Sequence, residues 1–303
     1  MQGLSFFDLL EQYVKEKSLS DATITTYTGV IRKFTSDTGI TRLDQITFER
    51  LLDWRLSVRN RASDITWNNY LRHMRALWNF ASHKSLVENK KLFSDLNWGK
   101  YNSARKKILS NQQIRTILAY LMSQDCPFEP AWFWIVVIRF IYYTGLRRKQ
   151  VVGLTWGDVN FKRQIIYLSA KSEKTDIARE IPIGDELSDI LKEYRQQIFE
   201  NPKGTIHPDS QIFHISKLNS KFSPGQMTVA QLSGFFKRLS KKVGFKVSPH
   251  MLRHTMATEI AKSGKIKQLQ EILGHQDVRT TLTFYVHPDL KELGSLINKL
   301  PQI

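Results

Sequence analysis

Cysteine is almost missing from this chain. Cys126 is the only one among 303 residues, which excludes a disulfide framework and a cysteine-built zinc site. Its setting, SQDCPFEP, is irregular, so a bystander is expected there and not a nucleophile. Long apolar runs are missing too. The longest, 131–143, is interrupted by Arg139 and falls short of the ~20 residues that span a bilayer. The opening segment, MQGLSFFDLLEQYV, carries Asp8 and Glu11 and no basic start, so no secretory signal is expected. No GxxxxGK[ST] phosphate loop occurs, nor an obvious carboxylate cluster for Mg²⁺. Acidic residues are scarce, 28 against 45 Lys and Arg, for a net charge of +17. A chain this basic suits a polyanion, most often nucleic acid; the plain alternative is charge for solubility alone. The expectation is a soluble, intracellular protein with no membrane contact.

Up to about residue 87 the pattern is helical. Leu4, Phe7, Leu10, Tyr13 and Val14 recur at helical spacing. Ser20, Thr47 and Ser63 stand where caps of three further helices belong, ahead of Ile24, Tyr27, Ile31 and Phe34, of Leu51, Trp54 and Val58, and of Trp67, Leu71, Leu77, Trp78 and Phe80. This predicts a small helical domain over 1–87, its aromatic residues serving mainly as core. Periodicity is then lost over 88–108, where Lys90, Lys91, Lys100, Arg105, Lys106 and Lys107 outweigh Glu88 and Asp95. That composition predicts a basic, extended connector able to lie along a phosphate backbone. A second domain, 109–303, opens with a Ser110–Gln113 capping box. It continues with a helix from about 130 to a stop at Gly145, a short helix over Val151, Val152 and Leu154, and a hairpin candidate, QIIYLSA and AREIPI. Helices are expected again at about 185–199, 228–242, 250–263, 267–274 and 278–286. The fold class predicted is mainly α with a small antiparallel sheet, an α+β second domain, the two domains forming a clamp around DNA.

Three short segments stand out. In HMLRH, His250 and Arg253 are i and i+3 at a helix start, a placement suited to an anion. His250 and His254 also have the i, i+4 spacing of zinc ligands, but neither HExxH nor a third ligand accompanies them. In TGLRRKQ, Arg147 opens a helix just after Gly145. In LGHQDVRTTLTFYVH, a Gly274–His275 turn precedes Tyr285. Together, TGLRRKQVVGLTWGDV, HMLRHTMAT and LGHQDVRTTLTFYVH resemble the motif boxes of the tyrosine recombinases, the phage-integrase and Xer-like family. The resemblance is strong over about 110–290. The helical domain and connector are similar to that family's core-binding domain and interdomain linker by architecture more than by motif.

The resemblance implies a site-specific recombinase or integrase that cleaves and rejoins DNA through a covalent 3′-phosphotyrosyl intermediate. It assigns Arg147 and Arg253 to phosphate binding, His250 and His275 to the same pocket, and Tyr285 to the nucleophile. A hairpin lysine is expected as well, Lys171 first and Lys174 as its competitor. Gln150 departs from the family pattern, which commonly has an acidic residue there. Lys100, Arg105, Lys106, Lys107 and Arg148 are expected against DNA. The implied partners are double-stranded recombination sites and further copies of the chain, a tetramer on two sites. Leu290, Leu293, Leu296, Ile297 and Leu300 form an apolar stripe suited to a neighbouring protomer. Only a few residues precede the first helix, so no additional arm-binding domain is expected. Two alternatives share parts of the pattern: a type IB topoisomerase-like or hairpin-forming strand transferase, and a DNA-binding regulator without catalysis.

Overall fold

Side-chain caps open the first four helices where the sequence places three of them and at a fourth, Ser5. Ser5, Ser20, Thr47 and Ser63 accept the N–H of the residue three further on, starting α1 (Phe6–Glu16), α2 (Asp21–Thr38), α3 (Phe48–Arg61) and α4 (Asp64–His83). Each such cap is worth ~1 kcal/mol. The computed structural model describes residues 3–100, 107–170, 178–200, 206–274 and 277–285. The chain divides into two units, Met1–Ala104 and Arg105–Ile303.

In the first unit an aromatic chain crosses all four helices. Phe6 meets Phe34 edge-on at 5.2 Å, Phe34 meets Trp54 at 4.8 Å, and Trp54 meets Trp67 at 5.2 Å. Burial of this set, with Leu9, Ile31, Leu51 and Leu71, is what holds the bundle. Helical spacing alone puts Phe7 on the inner face. The structure instead buries Phe6 and leaves Phe7 44% exposed, because adjacent residues lie ~100° apart around a helix and only one can meet Phe34.

The segment expected as an extended connector begins as part of this unit. Leu92, Phe93 and Leu96 are buried in its core. Their aperiodic backbone is held by α4 side chains. The indole N–H groups of Trp78 and Trp67 donate to Asn89 O and Asn97 O at 2.9 and 3.1 Å, and Arg75 donates to the carbonyls of Phe93, Ser94 and Leu96. Asn68 exchanges two hydrogen bonds with Gly99. These donors replace the ladder a helix or strand would have supplied.

The second unit is built around α6 (Ala131–Thr144), whose buried residues include Phe133, Trp134, Val137, Phe140 and Ile141. A helix apolar on most sides has to be covered on most sides. Helices α5 (Asn111–Met122), α8 (Asp185–Phe199) and α10 (Pro249–Lys262) pack against it. Trp134 stacks at 3.9 Å on Phe235 of α9 (Val229–Val243). After α6 comes the short α7 (Arg148–Gly153), then a three-stranded antiparallel sheet in the order β1-β2-β3. Its strands are β1 (Val159–Asn160), β2 (Ile165–Leu168) and β3 (Arg179–Pro182), paired Val159 to Ile166 and Ile166 to Ile181. Ile166, Leu168 and Ile181 face the core while Tyr167 faces out, the alternation of a half-buried sheet. Finally α11 (Ile266–Leu273) and α12 (Val278–Tyr285) pack with α10 around Met256, Ala257, Leu269 and Leu273. The mainly helical fold with a small antiparallel sheet is as the sequence predicts. No helix among the described residues is long and apolar enough to cross a membrane.

Candidate active site

Two glycine turns and one buried arginine assemble the site. Helix α6 ends at Gly145, whose φ of 61° lies in the left-handed region that L side chains avoid. A Cβ there would also overlap the Cε of Met256 on α10. The turn places Arg147 at the N-cap of α7, with its N–H donating to Gln150 Oε1 at 2.7 Å. Gln150 is buried, so a neutral amide acceptor fills the position where the sequence comparison expects an acid, and it orients the Arg147 turn.

Helix α11 ends in the same way at Gly274, φ 59°, where an added Cβ would lie 2.7 Å from Arg179 Cζ. The last carbonyls of α11 would otherwise lack donors. Arg179, from β3, donates to Glu271 O at 2.9 Å and to Ile272 O. Arg253, from α10, donates through Nη2 to Leu273 O at 2.8 Å and through Nη1 to Gly145 O. Two guanidiniums thus occupy the negative end of α11, and Arg253 ties together the turns that follow α6 and α11. It is only 3% exposed. Its guanidinium also bears on the Tyr285 hydroxyl.

Tyr285, at the end of α12, is 4% exposed. Its hydroxyl lies 2.7 Å from His254 Nδ1 on α10. Burial raises its pKa above the usual tyrosine value; the charge and hydrogen bond of Arg253, and the charge of Arg147, pull it part of the way back. The hydroxyl therefore sits in a positive field, next to a nitrogen base. Chemically, such a site can hold an anion against the phenol and favour the phenolate as charge develops.

Of the residues expected from sequence, Arg147, Arg253 and Tyr285 converge here. His250 differs from its i+3 partner: it is exposed, whereas Arg253 is buried. Helical spacing puts them on neighbouring positions, but rotation of α10 against α6 and α11 turns Arg253 inward. Lys171, Lys174, His275, Arg105 and Lys106 lie outside the described residues, as do Leu290 and the rest of the apolar stripe. Lys100 and Lys107 are exposed, Lys100 donating its backbone N–H to Asp64 at 3.1 Å. Arg148 donates to Ser233 Oγ at 2.7 Å, beside a groove of about 400 Å³ lined also by Lys237, Lys241 and Lys246. No group of three or more His, Cys, Asp or Glu among the described residues has metal-binding geometry. Sequence reasoning missed His254 and Arg179. The first was visible as the i+4 partner of His250. The second stands on the expected hairpin, but nothing local pointed it at α11.

The model of the phage integrase family matches residues 107–292. Over its whole length the chain is 26% identical to a putative tyrosine recombinase XerC of Pseudomonas syringae, of which it spans 65%. Among solved structures, the Tn1549 transposon integrase in complex with a circular intermediate DNA aligns with a TM-score of 0.76 at 21% identity, over 98% of this chain and all of that one. A lambda integrase tetramer bound to a Holliday junction aligns with a TM-score of 0.71 at 15% identity, over 92% of this chain and 78% of that one. At these identities the two structures speak for the fold alone.

Proposed function

The chain belongs to the phage integrase family, and from that premise we propose that it is a site-specific DNA recombinase whose nucleophile is Tyr285. The observation that carries this is the position of the Tyr285 hydroxyl. It is buried beside His254 and in the field of Arg147 and Arg253, so that with the tyrosine itself three separate stretches of the chain meet there.

The chemistry follows from the groups. A phosphodiester gains negative charge on its non-bridging oxygens as the phenol attacks. Arg147 and Arg253 hold those oxygens and stay charged at any working pH. The new bond joins Tyr285 Oη to phosphorus, and the bond to the 5′ oxygen breaks. That oxygen takes a proton from the hairpin lysine, Lys171 or its competitor Lys174. The 3′ phosphate stays on Tyr285 and keeps its bond energy for rejoining. His250, exposed at the start of α10, and His275 supply further donors. Neither a metal nor a nucleotide is needed for any step. The DNA backbone is held by basic groups, with Lys100, Arg105, Lys106, Lys107 and Arg148 as the contacts. The working assembly is a tetramer on two DNA sites; the lambda integrase of similar fold forms a tetramer bound to a Holliday junction. The protein acts on cytoplasmic DNA.

The test begins by recovering a preferred duplex from a random-sequence pool. That duplex, nicked near the cleavage point, should trap a covalent protein–DNA adduct on a denaturing gel. Tyr285→Phe should bind the duplex as well as the wild type and form no adduct, since only a hydroxyl is lost. An adduct persisting in the Phe variant would mean a different nucleophile. A plasmid with two sites separates the classes: exchange between sites is expected, whereas relaxation without exchange would assign a topoisomerase-like activity.

A further inference from the structure

Resting on that reading of Tyr285, we infer that His254 is a catalytic residue, the acceptor that holds the nucleophile's proton and takes it during attack. The family resemblance placed no role there; the contact in the folded protein does. His254 Nδ1 is 2.7 Å from the Tyr285 hydroxyl, within ordinary hydrogen-bonding distance, and the two rings are 5.6 Å apart at 45°.

The donor and acceptor inventory gives the proposed direction of the bond. A phenol carries one hydrogen and can accept as well as donate. The hydroxyl takes a hydrogen bond from Arg253 and lies in the field of Arg147. Guanidiniums only donate, so neither can receive the phenolic hydrogen. An imidazole with its proton on Nε2 presents Nδ1 as an acceptor, and His254 presents that atom to the hydroxyl. In a site where the tyrosine is 4% exposed, a hydrogen without an acceptor would be costly.

The step balances without a further reactant. The O–H bond of Tyr285 breaks as the Oη–phosphorus bond forms, and its proton passes to Nδ1, leaving an imidazolium. The departing 5′ oxygen is protonated separately, by the hairpin lysine. On rejoining, the 5′ hydroxyl attacks phosphorus and the tyrosine oxygen recovers its proton from His254. An imidazole with a pKa near 6.5 is matched to such a task near neutrality, where a free phenol with a pKa near 10 is not ionised.

His250, assigned to the pocket by the resemblance, stands one turn earlier on α10 with its ring 6.2 Å from that of His254. It is exposed, whereas the Tyr285 hydroxyl is buried beside His254. Among the described residues, Tyr285 from α12, His250 from its own helix, and Arg253 and Arg147 through the shared hydroxyl bear on His254. Helix α6 brings Tyr142, which faces Glu259 and Lys262 farther along α10. From beyond α11, Arg179 bonds that helix's terminal carbonyls.

The experiment measures single-turnover adduct formation on the nicked duplex from pH 5.5 to 9 for the wild type, His254→Asn and His254→Phe. Asn keeps a short hydrogen-bonding group near the Nδ1 position but is not a base in this range. We expect both variants to bind the duplex normally and to form adduct at least 30-fold more slowly at pH 7. The fall in rate that the wild type shows on the acid side of neutrality should vanish in His254→Asn, whose rate should climb with pH toward the tyrosine range. A wild-type rate and pH profile in His254→Asn would overturn the assignment, reducing His254 to packing. A second measurement needs no activity: ¹⁵N shifts of the histidine rings should show an unprotonated, hydrogen-bonded Nδ1 on His254 at pH 8, altered by Tyr285→Phe. A proton found on Nδ1 overturns the inference even if the variants are slow. No adduct from the wild type would sink the reading of Tyr285 itself, and the inference with it; an adduct indifferent to His254 would sink the inference alone.

Discussion

Arg253 and Arg147 occupy matching places in the motif pattern, yet they differ as physical objects. Arg253 is buried and bonded to two backbone carbonyls, Gly145 O and Leu273 O, on which the two glycine turns depend. Arg147 is half-buried at the start of α7. Removing either guanidinium should slow adduct formation by about two orders of magnitude, the equivalent of ~3 kcal/mol at the transition state. Their effects on folding should separate. Arg253→Ala strands two buried acceptors and should cost ~2–4 kcal/mol of stability, whereas Arg147→Ala should stay within ~1 kcal/mol of the wild type. Urea unfolding of the two variants checks this; equal stabilities would mean the Arg253 carbonyl bonds contribute nothing net.

Elements are joined here by single polar side chains as much as by apolar contact. Asp37, near the end of α2, accepts from Lys33 at 2.7 Å, from Trp54 Nε1 of α3 at 3.3 Å, and from Arg61. Burial alone would raise its pKa, but the bonds from Lys33, Arg61 and Trp54 together bring it below the usual carboxylate value. A folded pKa below the unfolded one means stability that is present above about pH 4 and lost as pH falls through the folded value. Asp37→Asn should therefore cost ~1–2 kcal/mol at pH 7 and less at pH 2, read from urea midpoints at the two pH values. The packed stretch 89–100 gives a second test at this scale. Phe93 is fully buried and its carbonyl is taken by Arg75. If the stretch is part of the first unit's core, Phe93→Ala should destabilise by ~3–5 kcal/mol. A surface connector would tolerate the change within ~0.5 kcal/mol, and thermal melting distinguishes the two.

On the scale of the whole molecule the dominant quantity is charge. An excess of 17 positive charges draws counterion-coated DNA, and each phosphate neutralised releases about one counterion. If about six phosphates are contacted, the logarithm of the binding constant should fall against the logarithm of salt concentration with a slope near −5. Fluorescence anisotropy on the selected duplex from 50 to 300 mM salt measures it, and a slope near zero would remove the electrostatic account of binding. Tyr285→Phe should leave that slope unchanged, because the hydroxyl carries no charge in the free protein.

How far the sequence reached depended on whether the information was local. Ser20, Thr47, Ser63 and Ser110 marked helix starts correctly because a cap is a hydrogen bond between residues three apart. Gly145 and Gly274 marked helix ends because a left-handed turn is a property of one residue. Charge, the polyanion it implies and the order of the motif boxes were also legible along the chain. What is nonlocal was not. Strand β1, of two residues, carries too little pattern to read; pairing with β2 makes it a strand. The stretch 89–100 looks like a linker until α4 presents Trp67, Arg75 and Trp78 to its carbonyls. Whether Phe6 or Phe7 is core, and whether His250 or Arg253 is inside, was decided by how each helix is rotated against its neighbours. The meeting of His254 with Tyr285, across |i−j| = 31, exists only because α12 docks on α10. Sequence by itself determined which chemical groups the protein owns; tertiary packing decided which of them touch, because a hydrogen bond is set by ångströms in space and not by distance along the chain.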